Sequence, residues 1–414
     1  MNDQTRVWDV TGIRELFPAL ARRSPDGAAV AYLDGPGGTQ VPGSVIAAMR
    51  DYLSTSNSNI EGEFELTAST DRLIEKARRY GGAFVGGDHE CISFGQNMTS
   101  LNFNLSRALG RTLRAGDEII TTTLDHDGNV SPWILLAQDR GLVLRTVGVT
   151  EELDIDLDDL RSQLNERTKV VAFTLASNAV GTVTRAREIS NLAHQVGALA
   201  WADAVAYAPH RRIDVDEIGC DVLLCSPYKF FGPHLGMSWI RRDLAESLPA
   251  ERVRPAGLKP PGHRFETGTL SHEAIAGFTA AVDYLASLGS GADLSERLDA
   301  AYRAIGSHET ALAERFVMGI RAVPRVRLAG PAGADPQRRV GTFGLIVDGG
   351  GTAGLARALG ERGIYTWNGN FYALGIVQHL GLDVEDGLLR AGIVHYNTAA
   401  DVDRFLAELA GLLS

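Results

Sequence analysis

From about residue 90 to residue 240 the chain alternates short apolar runs with segments whose apolar positions recur every three to four residues. The runs in CISF, DEIITTT, LVLRTVGV, KVVAFTLAS, ALAWAD and DVLLCS read as strands, and VSPWILLAQDRG, DIDLDDLRSQLN and TRAREISNLAHQVG between them read as helices. Strands that are apolar almost throughout are expected where both faces of a sheet are covered. Their regular alternation with helices predicts a mostly parallel α/β sheet.

The texture changes after Leu270. Helical patterns in EAIAGFTAAVDYLASLG and LSERLDAAYRAIGSHETALAERFVMGI lead to strand-like VRLAG, VGTFGLIV and LLRAGIVHY. The last segment, TAADVDRFLAELAGLL, reads as an amphipathic helix with a threonine N-cap. A smaller α+β domain is thus expected after an α/β body. The expected division is an N-terminal segment (1–28) packing on the small domain, a large α/β domain (29–285) and a small C-terminal domain (286–414). A length of 414 residues suits two or three domains.

Composition narrows the function classes. A hydrophobic content of 44% with 22% charged residues is ordinary for a soluble globular protein. The formal charge of −11 argues against nucleic acid or an anionic membrane as partner. Cys91, Cys220 and Cys225 make no disulfide framework and match no zinc-ligand spacing, so no metal is expected. The N-terminus MNDQTRVWDVTG is not a signal sequence and no apolar run has membrane-spanning length, so a cytoplasmic protein is expected.

The stretch CDVLLCSPYKFFGPHLG places Lys229 directly behind an apolar strand, flanked by Tyr228, Phe230 and Phe231. One reading is a snorkelling lysine whose stem covers apolar surface. The other is a desolvated lysine of lowered pKa in an aromatic pocket, able to attack a carbonyl and form a Schiff base. A Schiff-base lysine working with pyridoxal phosphate needs a carboxylate at the pyridine nitrogen, donors for the phosphate, a ring stacked on the cofactor and a cation for the substrate carboxylate. Asp203 closes the strand ALAWAD, His126 follows another strand end, and GQNMTSLN joins a strand to a helix whose first amides suit an anion. Their common location at strand ends fits a site on one edge of an α/β sheet.

Two glycine-rich stretches compete. VDGGGTAGLARALG holds a formal G-x-G-x-x-G (Gly349, Gly351, Gly354), but no acidic residue follows at the distance a dinucleotide site requires, so a tight strand-to-helix turn is the better reading. LDGPGGTQVP, with Pro36 and Pro42, reads as an ordered loop lining a cleft.

Taken together, LDGPGGTQVP, LDHDGNVSPW, ASNAVGTV, WADAVAYAPH, CSPYKFFGPHLG, FETGTLSHE and RAGIVHYNTAADVDRF resemble the class V (fold-type I) pyridoxal-phosphate enzymes of the cysteine desulfurase-like branch. The likeness covers nearly the whole chain and implies a seven-stranded, mostly parallel sheet in the large domain. It also implies pyridoxal 5'-phosphate as cofactor and a homodimer with shared active sites. Lys229 matches the Schiff-base lysine, Asp203 the partner of the pyridine nitrogen and His126 the residue stacked on the ring. Ser226 and Tyr228 match phosphate contacts, the latter a histidine in true desulfurases, and Asn97 and Met98 fall in the phosphate-binding turn. Thr269 matches a phosphate contact given to the other subunit, Asn178 lies by the ring hydroxyl, and Arg390 matches the clamp on the substrate's α-carboxylate. Ala206 stands where desulfurases carry a glutamine.

The pattern breaks at one place. Desulfurases carry a mobile cysteine in the loop before the last strands; GIYTWNGNFYALG, residues 363–375, has none. It offers Trp367 and Phe371 among other aromatic and polar groups, a surface suited to a bulky amino-acid substrate. The resemblance then implies C–S cleavage by β-elimination of a bulky cysteine S-conjugate, through an aldimine and a quinonoid and without a persulfide. Decarboxylation-linked oxidative deamination, transamination and epimerisation of a similar amino acid are the alternatives. An NAD-dependent oxidoreductase using the Gly349 turn and a non-catalytic binding protein are the minor ones.

Overall fold

A computed structural model describes residues 8–24 and 27–414. The expected N-terminal segment 1–28 therefore lies partly outside the described residues. Within it Trp8 stacks on His308 at 5.3 Å, Arg14 Nη1 donates to the Tyr396 carbonyl at 2.9 Å, and Phe17 is buried against Phe231 and Tyr396.

The short strand β1 (Ala31–Tyr32) leads to a seven-stranded sheet made of β2 (Ile92–Gly95), β3 (Glu118–Thr122), β4 (Val143–Val147), β5 (Thr168–Thr174), β6 (Leu199–Asp203), β7 (Val222–Cys225) and β8 (Gly236–Ile240), in the order β2-β8-β7-β6-β5-β3-β4. β8 runs antiparallel to both neighbours, and the remaining pairs are parallel, so the sheet is mixed. The reason is in the connection: the link from Cys225 to Gly236 holds only a short 3-10 turn, too little for the crossover that a parallel neighbour requires.

Both sheet faces are covered, as the apolar runs predict, except at the edge strand β4, where Val143 and Thr146 are exposed. On β5, Val170 and Ala172 join one core with Leu105, Trp133 and Trp201, while Val171 and Phe173 join the opposite core with Ile189 and Phe84. This is the period-two alternation of a strand buried on both sides. The helices Met98–Gly110 and Ser131–Arg140 cover the first face, and Ala186–Gln195 lies with Glu65–Val85 on the other.

A four-stranded antiparallel sheet follows, made of β9 (Val326–Leu328), β10 (Thr342–Val347), β12 (Trp367–Gly369) and β13 (Leu388–Gly392) in the order β12-β13-β10-β9. Its core includes the stacked rings of Phe316, Phe343 and Phe405. The chain enters this region early, because β1 pairs in parallel with β11 (Ile364–Tyr365). The helix Ala399–Leu413 begins with the expected threonine: Thr398 accepts from the Asp401 amide at 3.2 Å and its own amide donates to Asp401 at 2.9 Å, a capping box.

The Gly349–Gly351 turn lies between β10 and the helix Thr352–Glu361, and the Gly351 and Thr352 amides donate to the Asp386 carboxylate at 2.8 and 2.9 Å. The chain's own carboxylate takes the amides a pyrophosphate would need, in agreement with a structural turn. Among the described residues no helix is long and apolar enough to cross a membrane.

Candidate active site

β3, β5, β6 and β7 end on one edge of the large sheet. Their ends carry His126, Asn178, Asp203 and Ser226–Lys229. The loop after β1 faces them: Lys229 Nζ donates to the Pro36 carbonyl and, at 3.1 Å, to that of Gly37. The Tyr228 carbonyl in turn accepts from Thr39 N at 3.1 Å and Thr39 Oγ1 at 3.2 Å. The LDGPGGTQVP segment is an ordered loop lining the cleft, as its sequence suggests.

Lys229 differs from the expected aromatic enclosure. The Tyr228 ring lies 4.9 Å from Nζ, but Phe230 and Phe231 are fully buried and turn inward, toward Phe84 at 4.4 Å and His395 at 4.3 Å. Backbone carbonyls and one aromatic ring, not three rings, surround the ammonium. Burial, helped by the nearby positive Arg390, lowers its pKa to about 7, against the opposing pull of Asp203 and Asp34. At neutral pH a substantial fraction is therefore the free amine, the nucleophilic form.

Asp203, 3% exposed, ends β6 and is paired across the sheet with Leu224 of β7, four residues before Tyr228. One oxygen accepts from the Val205 amide at 2.8 Å. Burial raises its pKa to about 6, which a cationic pyridinium partner would reverse. His126 caps the turn after β3, its Nδ1 accepting from the Gly128 amide at 2.8 Å, which leaves the proton of the neutral ring on Nε2. Burial first, then Lys229 and Arg390, lower its pKa to about 4, so the ring is neutral and fit to stack.

The anion end is built from β2 and the helix behind it. Asn97 caps the helix Met98–Gly110, accepting from the Ser100 amide at 2.9 Å, and the Met98 amide donates to Ser226 Oγ at 3.0 Å. A Cβ at Gly236 would lie 2.4 Å from the Asn97 carbonyl carbon, so only glycine lets β8 pass beside this turn. Tyr228 stacks on His234 at 5.1 Å. Thr269 stands apart, exposed on the turn before the helix His272–Ser287.

Arg390 lies on β13, where β12 places Trp367 directly opposite. The segment 363–375, expected as a loop, is thus partly strand, and that pairing brings Trp367 to the site. A Cβ on Gly37 would sit 3.6 Å from Arg390 Nη2 and 3.7 Å from Trp367 Cε2, so the loop after β1 closes onto both. Arg390 is 3% exposed, yet among the described residues only Nη1 has an acceptor, the Asn178 carbonyl at 2.9 Å. Four of its five N–H donors are left for a ligand. Burial pushes its pKa down to about 9. Asn178 also donates to the Phe371 carbonyl at 2.9 Å, and its buried Oδ1 has no partner among the described residues.

Two carboxylates escaped the sequence reading. Asp34 follows β1 and feels both Arg390 and Lys229; burial raises its pKa to about 6, and Oδ1 is buried without a partner. Asp125, beside His126, is held by the Thr122 hydroxyl at 2.6 Å and Asn129 Nδ2 at 2.9 Å, and burial raises its pKa to about 8. Its adjacency to a candidate histidine was a usable signal; Asp34 had only its place in the glycine-rich loop.

The donor set fits pyridoxal phosphate: an amine of lowered pKa, a buried carboxylate, a neutral imidazole, a helix N-terminus with a hydroxyl, and an unpartnered buried amide oxygen at Asn178. Among the described residues no cluster of three or more His, Cys, Asp or Glu is placed to hold a metal. The three cysteines are all buried, with Cys91 raised by burial to about 12 and the thiols of Cys220 and Cys225 pushed up further.

Comparison with known proteins agrees with this geometry. The model of the family described as Aminotransferase class-V matches residues 31–405. The chain is 33% identical to a probable cysteine desulfurase 2 of Mycobacterium leprae, over 96% of this chain and 95% of that one. It is 30% identical to the aminotransferase-like protein FGM3 of Gibberella zeae, over 98% and 99%. The solved cysteine desulfurase of Thermococcus onnurineus superposes with a TM-score of 0.83 at 26% identity, covering 96% of this chain and 98% of that structure. With its mixed seven-stranded sheet, its strand-end lysine and its match over nearly the whole length, the chain belongs to the class V aminotransferase family of pyridoxal-phosphate enzymes, on the cysteine desulfurase-like side.

Proposed function

We propose that the protein is a C–S lyase that cleaves bulky cysteine S-conjugates by β-elimination, without a persulfide on the enzyme. The observation that carries this reading is what lines the cleft beside Arg390. Trp367 is 53% exposed and Tyr372 71% exposed, whereas all three thiols are buried. A desulfurase needs a thiolate able to reach the substrate sulfur, and thiols held protonated in apolar surroundings are inert. The likeness to desulfurases supports chemistry at a cysteine-type substrate, and the aromatic groups support a large substituent on its sulfur.

Pyridoxal phosphate, when bound, supplies the electron sink that makes bonds at Cα labile. The remaining roles belong to the chain. Arg390 binds the α-carboxylate as a bidentate fork and Trp367 flanks the side chain. Lys229, as the free amine, takes the α-proton; the Cβ–S bond breaks and the sulfur leaves as a thiol. The enamine left behind adds water and yields pyruvate and ammonia, so one S-conjugate and one water give thiol, pyruvate and ammonium. Asp203 would balance positive charge on the ring nitrogen, and the neutral imidazole of His126 would stack on the ring. Asn97, Met98, Ser226 and Tyr228 serve the phosphate, and Asn178 the ring hydroxyl.

The same reading makes the protein a cytoplasmic homodimer in which Thr269 serves the partner's phosphate. The exposure of Thr269 on the turn before the helix His272–Ser287 supports that role.

The test incubates the holoenzyme with L-cysteine and with S-benzyl-L-cysteine and follows pyruvate, thiol, alanine, CO2 and persulfide. Pyruvate with thiol from the S-conjugate is expected. Alanine with persulfide from free cysteine contradicts the proposal, and CO2 without pyruvate assigns decarboxylating chemistry instead.

A further inference from the structure

Phe371 and Tyr372 are consecutive non-glycine residues in the left-handed region, with φ of 55° and 56°. A strained conformation persists only where its surroundings over-determine it, and such places cluster at functional sites. Here the surroundings are the site itself. Asn178 Nδ2 donates to the Phe371 carbonyl at 2.9 Å, and the Asp127 amide, next to His126, donates to the Tyr372 carbonyl at 2.6 Å. Asn370 closes the turn, accepting from the Tyr372 amide at 2.9 Å through its side chain and from the Ala373 amide at 2.8 Å through its carbonyl.

The strain has one clear product, the placement of the Phe371 ring. It is 9% exposed and lies against the Arg390 guanidinium, whose Cζ is 4.0 Å from the ring centroid. Among the described residues Arg390 has a single hydrogen bond, from Nη1 to the Asn178 carbonyl at 2.9 Å. One bond leaves a guanidinium free to swivel about it, whereas an aromatic face beneath it adds a second restraint and leaves its edge donors open. Asn178 therefore holds both members, Arg390 through its backbone oxygen and Phe371 through its side chain.

We propose that Phe371 is the positioning residue of the carboxylate clamp: its ring fixes the Arg390 plane, so that an α-carboxylate docks in one orientation relative to Lys229. Phe371 on this account is a support beneath the clamp, and the substrate's side chain meets Trp367 and Tyr372. The inference rests on the reading of Arg390 as that clamp.

The experiment compares two probes that differ only in the carboxylate, S-benzyl-L-cysteine and S-benzylcysteamine. Binding to the holoenzyme is followed by calorimetry and by the cofactor's absorbance. Phe371→Leu keeps apolar volume but removes the ring, and Phe371→Tyr keeps the ring. The Leu variant is expected to bind the amino acid about ten-fold more weakly, with the amine changed less than about two-fold, and the Tyr variant to match the parent. Equal weakening of both probes in the Leu variant marks a merely structural role and overturns the inference, as does no weakening at all. A parent enzyme that binds the two probes equally removes the clamp and the inference together. Pyruvate release is scored separately: its absence with the ten-fold contrast intact removes the lyase reading and leaves the positioning role standing. Urea unfolding of each cofactor-free variant excludes misfolding as the cause, and Phe371→Met, if the Leu variant does not fold, supplies the same comparison by removing the ring while keeping apolar volume.

Discussion

Replacing Asp203 by Asn is expected to make the cofactor-free protein more stable while it disables the holoenzyme. The carboxyl ionises near 3.9 in an unfolded chain, but in the fold burial holds its proton until about pH 6. Well below pH 4 the group is neutral in both states and costs nothing. Well above pH 6 it is charged in both, and the fold carries the whole cost of a buried charge. The difference of about two pKa units corresponds to about 3 kcal/mol at pH 8 and about half that at pH 5. Asn keeps the shape, and its oxygen can still accept from the Val205 amide now 2.8 Å from Asp203. Urea unfolding of the two cofactor-free proteins at pH 5 and pH 8 measures the gap, and repeating the pair in a Lys229→Ala background removes the coupling between Asp203 and Lys229. The Asn variant gains at both pH values, and more at pH 8. With cofactor bound the sign reverses for function, since a neutral partner no longer supports a protonated ring nitrogen, and turnover falls by ~100-fold or more. A variant no more stable than the parent at pH 8, or one whose advantage does not shrink at pH 5, refutes the assigned burial cost. Near-normal turnover refutes the role.

Arg390→Ala is expected to weaken α-carboxylate ligands by roughly 10- to 100-fold, the worth of hydrogen bonds to a charged group, with Arg390→Lys recovering only part because it lacks the planar fork; unchanged affinity moves the clamp elsewhere. Single replacements of Cys91, Cys220 and Cys225 by Ala leave turnover largely intact and cost on the order of 1 kcal/mol of stability by urea unfolding; loss of activity in any one of them restores a catalytic thiol. Sedimentation of the holoenzyme gives a dimer, and Thr269→Ala weakens cofactor retention; a fully active monomer contradicts the shared site.

Much of the fold was legible because burial on both faces writes itself as uninterrupted apolar runs such as VVAFT and VLLC. Asp203 and Lys229 were legible for the same reason, as polar groups standing where such runs stop. The direction of β8 was also within reach, since the short link before Gly236 rules out a crossover. What the sequence hid depends on long-range register. Nothing local says that Trp367 faces Arg390, because that pairing is set by β12 docking on β13. Nothing local says that Phe371 turns in beneath a guanidinium while Tyr372 stays out, because a left-handed phenylalanine is held by Asn178, far away in the chain. The aromatic cage around Lys229 failed for a related reason: neighbours in sequence at a turn point different ways, and Phe230 and Phe231 turn into the core. Asp34 was invisible because its environment comes from Arg390 and Lys229, which only the fold brings near.

The central claim is that Lys229 is the residue that holds the cofactor, and the chain makes this unusually easy to test because it contains only four lysines, Lys76, Lys169, Lys229 and Lys259. Lys76 and Lys259 are exposed, and Lys169 Nζ is tied to the Glu166 carbonyl at 2.7 Å. Hydride reduction of the holoenzyme, followed by digestion and mass spectrometry, locates the pyridoxyl group. The account predicts the added mass on the peptide that carries Lys229, one group per chain, and none on the Lys229→Ala variant, which still folds. Label on any of the other three lysines, or a reducible chromophore that survives in Lys229→Ala, contradicts it.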